Sequence, residues 1–418
     1  MYRIVKSRLV RATAATLAGL AFVAVSPVTA SAATSPAIDW NVNAPTPNAD
    51  ADPFYTPPST IPTGNPGDII RARVANAGPP TARSLAKAWQ VMYLSTDALG
   101  NPNVVTGTIM VPKNGASTAP LVTIAPGTTG PAFRCTVSRF INSGAFYEQP
   151  AVNDMLKAGY AVAVTDYEGY HENPKTTYVA GRSMGAAVLN ISRAATRLPE
   201  AGLSPTPKLA IRGYSQGGGA AMWAGQMAPT YAPELNIVGI AGGGVPANLA
   251  LVAASLQGQP AFGFLLNAMI GLDNAYPELV LDDFLTDVGK STIANMVAGD
   301  CTIELLIGYE NKKIDDYATE SPFSTAPWLD RIDPENKLGA TKINVPVFQY
   351  HANNDPIVSP RGAANLRKAY CALGVDLQWK EFDGTGHITT VARGNADVAA
   401  FIAARFRGAT TAPNCSAI

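Results

Sequence analysis

Five residues, Gly213-Tyr214-Ser215-Gln216-Gly217, follow directly on the strand-like run Leu209-Ala210-Ile211-Arg212 and lead into the small-residue stretch Gly218 to Trp223. A G-x-S-x-G sequence in that setting reads as strand, sharp turn, helix. Glycines two positions either side of the serine let the backbone bend without a Cβ clash. Such a turn holds the hydroxyl exposed, within reach of a base and beside backbone N–H groups that stabilise an oxyanion, which a serine needs to act as a nucleophile.

The rest of the chain must supply a scaffold for that turn. Strand signals run over Ile69 to Val74, Trp89 to Ser95 and Val104 to Val111, separated by Gly, Asn and Asp turns, which suggests an antiparallel beginning. Apolar runs follow at Pro120 to Ala125, Tyr160 to Thr165, Leu209 to Gly213, Ile237 to Ala241 and Val345 to Tyr350, several separated by helical patterns such as Asn153 to Ala158 and Val179 to Leu198. Apolar strands alternating with helices imply an α/β protein with a mostly parallel sheet covered on both faces. With 418 residues, 47% of them hydrophobic and 15% charged, the chain has ample material for a large core.

One interval breaks the rhythm. Between Pro246 and about Lys342 the apolar residues recur at helical spacing in Leu249 to Leu256, Phe262 to Ile270 and Phe284 to Met296, over a length no ordinary crossover needs. This predicts a helical cap inserted over the sheet. Its cluster Phe262, Phe264, Leu265, Leu266, Met269, Ile270 and Leu272 suits a lipid-binding cleft and the cap's own core equally well.

A nucleophilic serine needs a histidine and a carboxylate, and in the strand–turn–helix arrangement these follow it in the order acid, then histidine. His387 fits, in the glycine-rich loop Asp383-Gly384-Thr385-Gly386-His387 after the strand-like Leu377 to Phe382. For the acid, Asp355 stands just after the run Val345 to Tyr350, where ligand-facing residues of parallel strands belong. Asp383 is its rival, though four residues before the histidine it suits a turn better. His351 precedes Asp355 and fits a structural place at the strand end. A second G-x-S-x-G, Gly181-Arg182-Ser183-Met184-Gly185, lacks a strand before it and leads into a long helix, so Ser183 is the weaker nucleophile candidate. Of the two oxyanion donors, one belongs to the residue after the nucleophile, Gln216, and the other to the loop Gly127-Thr128-Thr129-Gly130 after Leu121 to Ala125.

Composition narrows the setting. Arg3, Lys6, Arg8 and Arg11 precede the apolar stretch Ala12 to Val25 and then Ala30-Ser31-Ala32, the pattern of a secretory leader cleaved after Ala32; the apolar part is short for a membrane span. Residues 33–66 are crowded with proline and are expected to run extended over the surface. No basic block or aromatic–basic patch appears, so nucleic acid is not an expected partner. Cys135, Cys301, Cys371 and Cys415 favour two disulfides in an exported chain. Of the three possible pairings, Cys135 with Cys301 and Cys371 with Cys415 is preferred, because the second ties down the C-terminus. The histidines, His171, His351 and His387, do not fall at metal-ligand spacing with the cysteines or with one another.

The chain also carries Asp52-Pro53-Phe54-Tyr55-Thr56-Pro57-Pro58, Pro66-Gly67-Asp68, Gly127-Thr128-Thr129-Gly130 with Cys135 and Ser138 after it, Asp166-Tyr167-Glu168-Gly169, and Gly213 to Gly218. In this order it resembles the secretory lipase family, the lipase-A type of yeasts and actinobacteria. The resemblance implies an α/β-hydrolase core with a mostly parallel sheet and an inserted helical cap, two disulfides, and a triad on Ser215, Asp355 and His387. It implies hydrolysis of acylglycerol esters and, given suitable acceptors, acyl transfer. The triad mechanism itself requires no metal or cofactor, and a lipid or ester substrate with transient contact at a lipid interface is expected. Where the yeast pattern has an aspartate as second oxyanion donor, the nearest position here is Thr129. The expected division is a leader over 1–32, a Pro-rich segment over 33–66, core over 67–245, cap over 246–342 and core again over 343–418. The same triad would serve an acyltransferase on envelope lipids or a small-substrate esterase; a non-catalytic binding protein on the same scaffold is the remote alternative.

Overall fold

The computed structural model describes residues 34–45, 51–335 and 337–417. The leader expected over 1–32, with its cleavage near Ala32, lies outside the described residues. Nine strands form one sheet: β1 (Ile69–Ala75), β2 (Ala86–Thr96), β3 (Pro102–Pro112), β4 (Leu121–Ala125), β5 (Ala161–Glu168), β6 (Leu209–Tyr214), β7 (Ile237–Gly243), β8 (Val347–Ala352) and β9 (Leu377–Phe382). Their order is β1-β2-β3-β5-β4-β6-β7-β8-β9. The pairs β1–β2, β2–β3 and β3–β5 are antiparallel, and every pair from β5 to β9 is parallel.

The parallel part is covered on both faces, which is why β4, β6 and β8 are buried at every position rather than at alternate ones. The helices Gly181–Arg197 and Gln216–Tyr231 pack Val188, Leu189 and Met222 on one face. Helices Gln149–Lys157 and Asn395–Phe406 pack Val152, Met155 and Ile402 on the other. After β4 the chain builds β5 on one side and then returns to place β6 on the other. The carboxyl ends of β4 and β6 therefore flank a switch point, where the loops of an open α/β sheet diverge and leave a crevice.

The proline-rich segment departs from the extended surface path expected for it. Asp52, Phe54 and Tyr55 are buried. Arg73 on β1 donates through Nη1 and Nη2 to the two oxygens of Asp52 at 3.0 and 2.6 Å, and its guanidinium lies 4.2 Å from the Phe54 ring centroid. The Tyr55 hydroxyl meets Ser138 Oγ at 2.8 Å. Proline stiffens a segment but does not keep its other residues out of a core; two aromatic rings and a carboxylate that pairs a buried arginine outweigh it.

Between β7 and β8 lie the helices Leu249–Leu256, Gly263–Ala275, Asp287–Gly299, Thr302–Ile307 and Ala326–Glu335. They have a core of their own, in which Trp328 is buried against Phe284 and Phe323. Asn248 and Thr286 start two of them by accepting from the N–H groups of Leu251 and Gly289 at 2.9 and 3.1 Å. The disulfide Cys135–Cys301 fastens this insert to the loop after β4, and Gly271 packs so tightly on Tyr178 that a Cβ there would lie 2.2 Å from its carbonyl oxygen. The second disulfide, Cys371–Cys415, holds the C-terminal tail beside β9.

Candidate active site

Ser215 is the single residue between β6 and the helix Gln216–Tyr231, and its backbone sits at φ 58°, ψ −123°. This conformation costs a non-glycine residue roughly 1–3 kcal/mol, which the packing around it must offset. That packing demands both glycines of the motif. A Cβ on Gly213 would stand 2.1 Å from the Gly217 carbonyl oxygen, and one on Gly217 would stand 2.0 Å from that of Ala125. The Ser215 N–H is held by the Gly243 carbonyl of β7 at 2.9 Å. Gln216 opens the helix, so its own N–H has no intrahelical acceptor.

The turn points the hydroxyl at His387, whose Nε2 is 2.8 Å from Ser215 Oγ. His387 begins the short helix that follows β9, and its Nδ1 is 2.5 Å from Asp355 Oδ2. Asp355 follows β8 in a tight turn in which its Oδ1 accepts from the N–H groups of Ile357 and Val358 at 2.9 and 2.8 Å. Burial pushes the Asp355 carboxyl up, but the hydrogen bond and charge of His387, with His351 and the Val358 N–H behind them, outweigh it and hold the group below the usual carboxylate range. A carboxylate that stays ionised can only accept. The His387 Nδ1 therefore carries the proton, which leaves Nε2 free to accept from the Ser215 hydroxyl. Asp355 and His387 are 6% and 4% exposed, so the contact between them is shielded from water.

The rival residues fall elsewhere. Asp383 is exposed, accepts from the Asn353 side-chain amide and takes the Arg393 guanidinium on its carbonyl, a loop-bracing place away from the imidazole nitrogens. Ser183 lies buried at the start of helix Gly181–Arg197, where it donates to Glu168 at 2.5 Å and meets Thr177 at 2.9 Å, with no histidine among its partners. His351 is buried with its Nε2 on the Val358 carbonyl at 2.9 Å and 3.4 Å from Asp355 Oδ2. Burial pushes this imidazole down despite the nearby carboxylate, and its ring braces the Asp355 turn.

Two cavities meet at Ser215. One, of about 320 Å³, runs under the insert between Val252, Ala253, Leu265, Leu272 and Ile357. The other, of about 600 Å³, opens past Thr128, Tyr147, Cys301, Ile303, His387 and Ile388. Phe264 borders both. The insert's apolar cluster thus divides its labour: Phe262, Leu266 and Met269 fill its core, while Phe264, Leu265 and Leu272 also face the first cavity. In the loop after β4, Thr128 lines the second cavity, and the Thr129 side chain turns inward to the Tyr170 hydroxyl at 3.2 Å. Among the described residues no group of three or more His, Cys, Asp or Glu is placed to hold a metal ion, and no helix is long and apolar enough to cross a membrane.

A family model described as secretory lipase matches residues 138–414 of this chain. The chain belongs to the secretory lipase family. Lipase 5 of Candida albicans is 30% identical to this secretory lipase over 88% of its length and 83% of the relative's, and a secreted triacylglycerol lipase of Malassezia furfur is 29% identical over 87% and 77%. The crystal structure of Candida antarctica lipase A in its closed state superimposes with a TM-score of 0.80 at 27% identity, covering 88% of this chain and 89% of that one. A rice cell wall degrading esterase from Xanthomonas oryzae shares the fold, with a TM-score of 0.66 at 16% identity over 81% of this chain and 97% of its own. In this secretory lipase, sequence reasoning passed over Tyr214 and Glu148 at the site. Tyr214 stood inside the quoted motif, but nothing in a sequence says what its hydroxyl reaches.

Proposed function

We propose that this chain is an exported serine lipase or carboxylesterase that hydrolyses carboxylic esters of acylglycerols through an acyl-enzyme on Ser215. What carries the reading is the 2.8 Å contact of His387 Nε2 with Ser215 Oγ at the meeting point of two apolar cavities. His387 takes the Ser215 proton as Oγ attacks the ester carbonyl carbon. The resulting oxyanion is held by the N–H of Gln216 and by an N–H of the Gly127–Gly130 loop, which we assign to Thr129. The C–O bond to the alcohol then breaks, and His387 delivers the proton to the leaving oxygen. Water, activated by the same imidazole, attacks the acyl-enzyme and returns Ser215. Asp355 keeps the imidazole oriented and stabilises its charged form.

In this reading the insert over 246–342 is the cap, the narrower cavity beneath it takes the acyl chain, and the wider mouth takes the alcohol side. The leader over 1–32 is removed near Ala32 before the protein acts outside the cell; two disulfides suit that compartment. The test is hydrolysis of an ester series of increasing acyl length by wild type and by Ala253→Phe. Filling the narrow cavity is expected to lower kcat/KM for long acyl chains on the order of tenfold or more while short chains change little, since burial of each methylene is worth about 0.8 kcal/mol. An unaltered profile would place the acyl chain elsewhere.

A further inference from the structure

The loop Pro126–Gly130 has no regular secondary structure, yet one of its N–H groups is fixed from below. The Gly127 N–H donates to Glu148 Oε1 at 2.7 Å. Glu148 immediately precedes the helix Gln149–Lys157 and is 3% exposed. The Tyr147 hydroxyl bonds the same carboxylate and presses on the loop, so that a Cβ on Gly127 would lie 2.1 Å from it. Burial holds the Glu148 carboxyl above its usual range, against the opposing pull of the loop N–H, the Arg212 charge and the tyrosine hydroxyl. Arg212 lies on β6, three residues before Ser215 and buried, with Nη2 on Asn395 at 2.6 Å and without a hydrogen-bond partner at Nε or Nη1.

No step of the reaction uses Glu148, whose contacts are with neither Ser215 nor His387. A carboxylate buried this deeply is costly to keep, and here it holds one peptide group of one loop. We propose that Glu148 is a positioning residue: by fixing the Gly127 N–H it sets the peptide orientations of the oxyanion loop that follows, beside Ser215. The proposal rests on the serine hydrolase reading given above. Oxyanion donors must be aimed at where charge develops before it develops; Tyr167, Thr302 and Tyr170 donate to the carbonyls of Pro126, Thr128 and Gly130 at 2.8, 2.6 and 2.7 Å, and Glu148 holds the N–H at the start of the loop.

The experiment compares Glu148→Ala, Glu148→Gln and Ser215→Ala on a soluble short-chain ester, with the melting temperature of each as a check on folding. Glu148→Ala is expected to lower kcat roughly 10- to 100-fold with KM within about twofold, since the loss falls on the transition state. Glu148→Gln, whose amide oxygen still accepts the Gly127 N–H, is expected to recover kcat to within about fivefold of wild type. Should Glu148→Ala not fold, Glu148→Asp takes its place: it withdraws the carboxylate from Gly127 while keeping the charge near Arg212, and at least a tenfold fall in kcat is expected, short of the roughly 10²–10³ of an oxyanion donor lost outright. Wild-type kcat in the folded Ala or Asp variant, or equal losses in Ala and Gln, overturns the proposal. Hydrolysis surviving Ser215→Ala would instead overturn the reaction assigned to Ser215, so the two failures are told apart.

Discussion

The Tyr214 hydroxyl donates a 2.8 Å hydrogen bond to the main-chain carbonyl oxygen of His387, so the residue before the serine holds the loop that carries the imidazole. The two rings lie with centroids 5.0 Å apart. Tyr214→Phe keeps the ring and removes one hydrogen bond from a carbonyl that still accepts within its own helix, a loss of about 0.5–1.5 kcal/mol. Felt as imidazole misplacement, that loss lowers kcat severalfold, up to about tenfold, with KM nearly unchanged. Steady-state kinetics on a soluble ester checks it; a variant with wild-type kcat would limit Tyr214 to packing.

Asp355→Asn and Asp383→Asn separate the two acids that the sequence left in competition. An amide at 355 can donate to Nδ1 and so favour the wrong tautomer of His387, which is expected to lower kcat by roughly 10³–10⁴. The same change at the exposed 383 is expected to leave kcat within about threefold, as surface substitutions away from special features usually do. Equal losses in the two variants would mean that the assignment of the acid is wrong.

Stability carries a pH signature at Asp166. This carboxyl is fully buried, accepts from the Ser138 N–H and hydroxyl and from the Thr106 hydroxyl at 2.6 Å each, and is pushed by burial from 3.8 up to about 6. A folded value above the unfolded one means that the folded chain holds a proton the unfolded chain has released, so its stabilising contribution is present below about pH 4 and is lost as pH rises through about 6. Across that window the wild-type denaturant midpoint is expected to fall relative to that of Asp166→Asn, which cannot titrate. A difference that stays constant, or that moves in favour of wild type as pH rises, would show that Asp166 binds no such proton.

Much of the scaffold was legible in the sequence because it rests on local patterns. All nine strands sit where apolar runs were read, and β9 and the helix Leu249–Leu256 have the limits that periodicity suggested. Other ends shifted by a few residues, as with β5, which runs on to Glu168 through Tyr167, a residue at φ 66°. The segment containing Phe54 and Tyr55 was misjudged because proline density speaks of backbone stiffness and is silent about a buried partner 21 residues on from Asp52, the Arg73 guanidinium. Ser215, Asp355 and His387 could be named from motif and chain order. Glu148 and Tyr214 could not, since their contacts with Gly127 and His387 join residues distant in the chain, with no spacing rule to reveal them.

The central claim is that Ser215 is the nucleophile, activated by His387. Labelling with a fluorophosphonate, followed by mass mapping of the adduct, tests it most directly. The account predicts one adduct on Ser215 in the wild type and none in Ser215→Ala or, at the same exposure, in His387→Ala. An adduct on Ser183, or labelling that persists undiminished in Ser215→Ala, would contradict it.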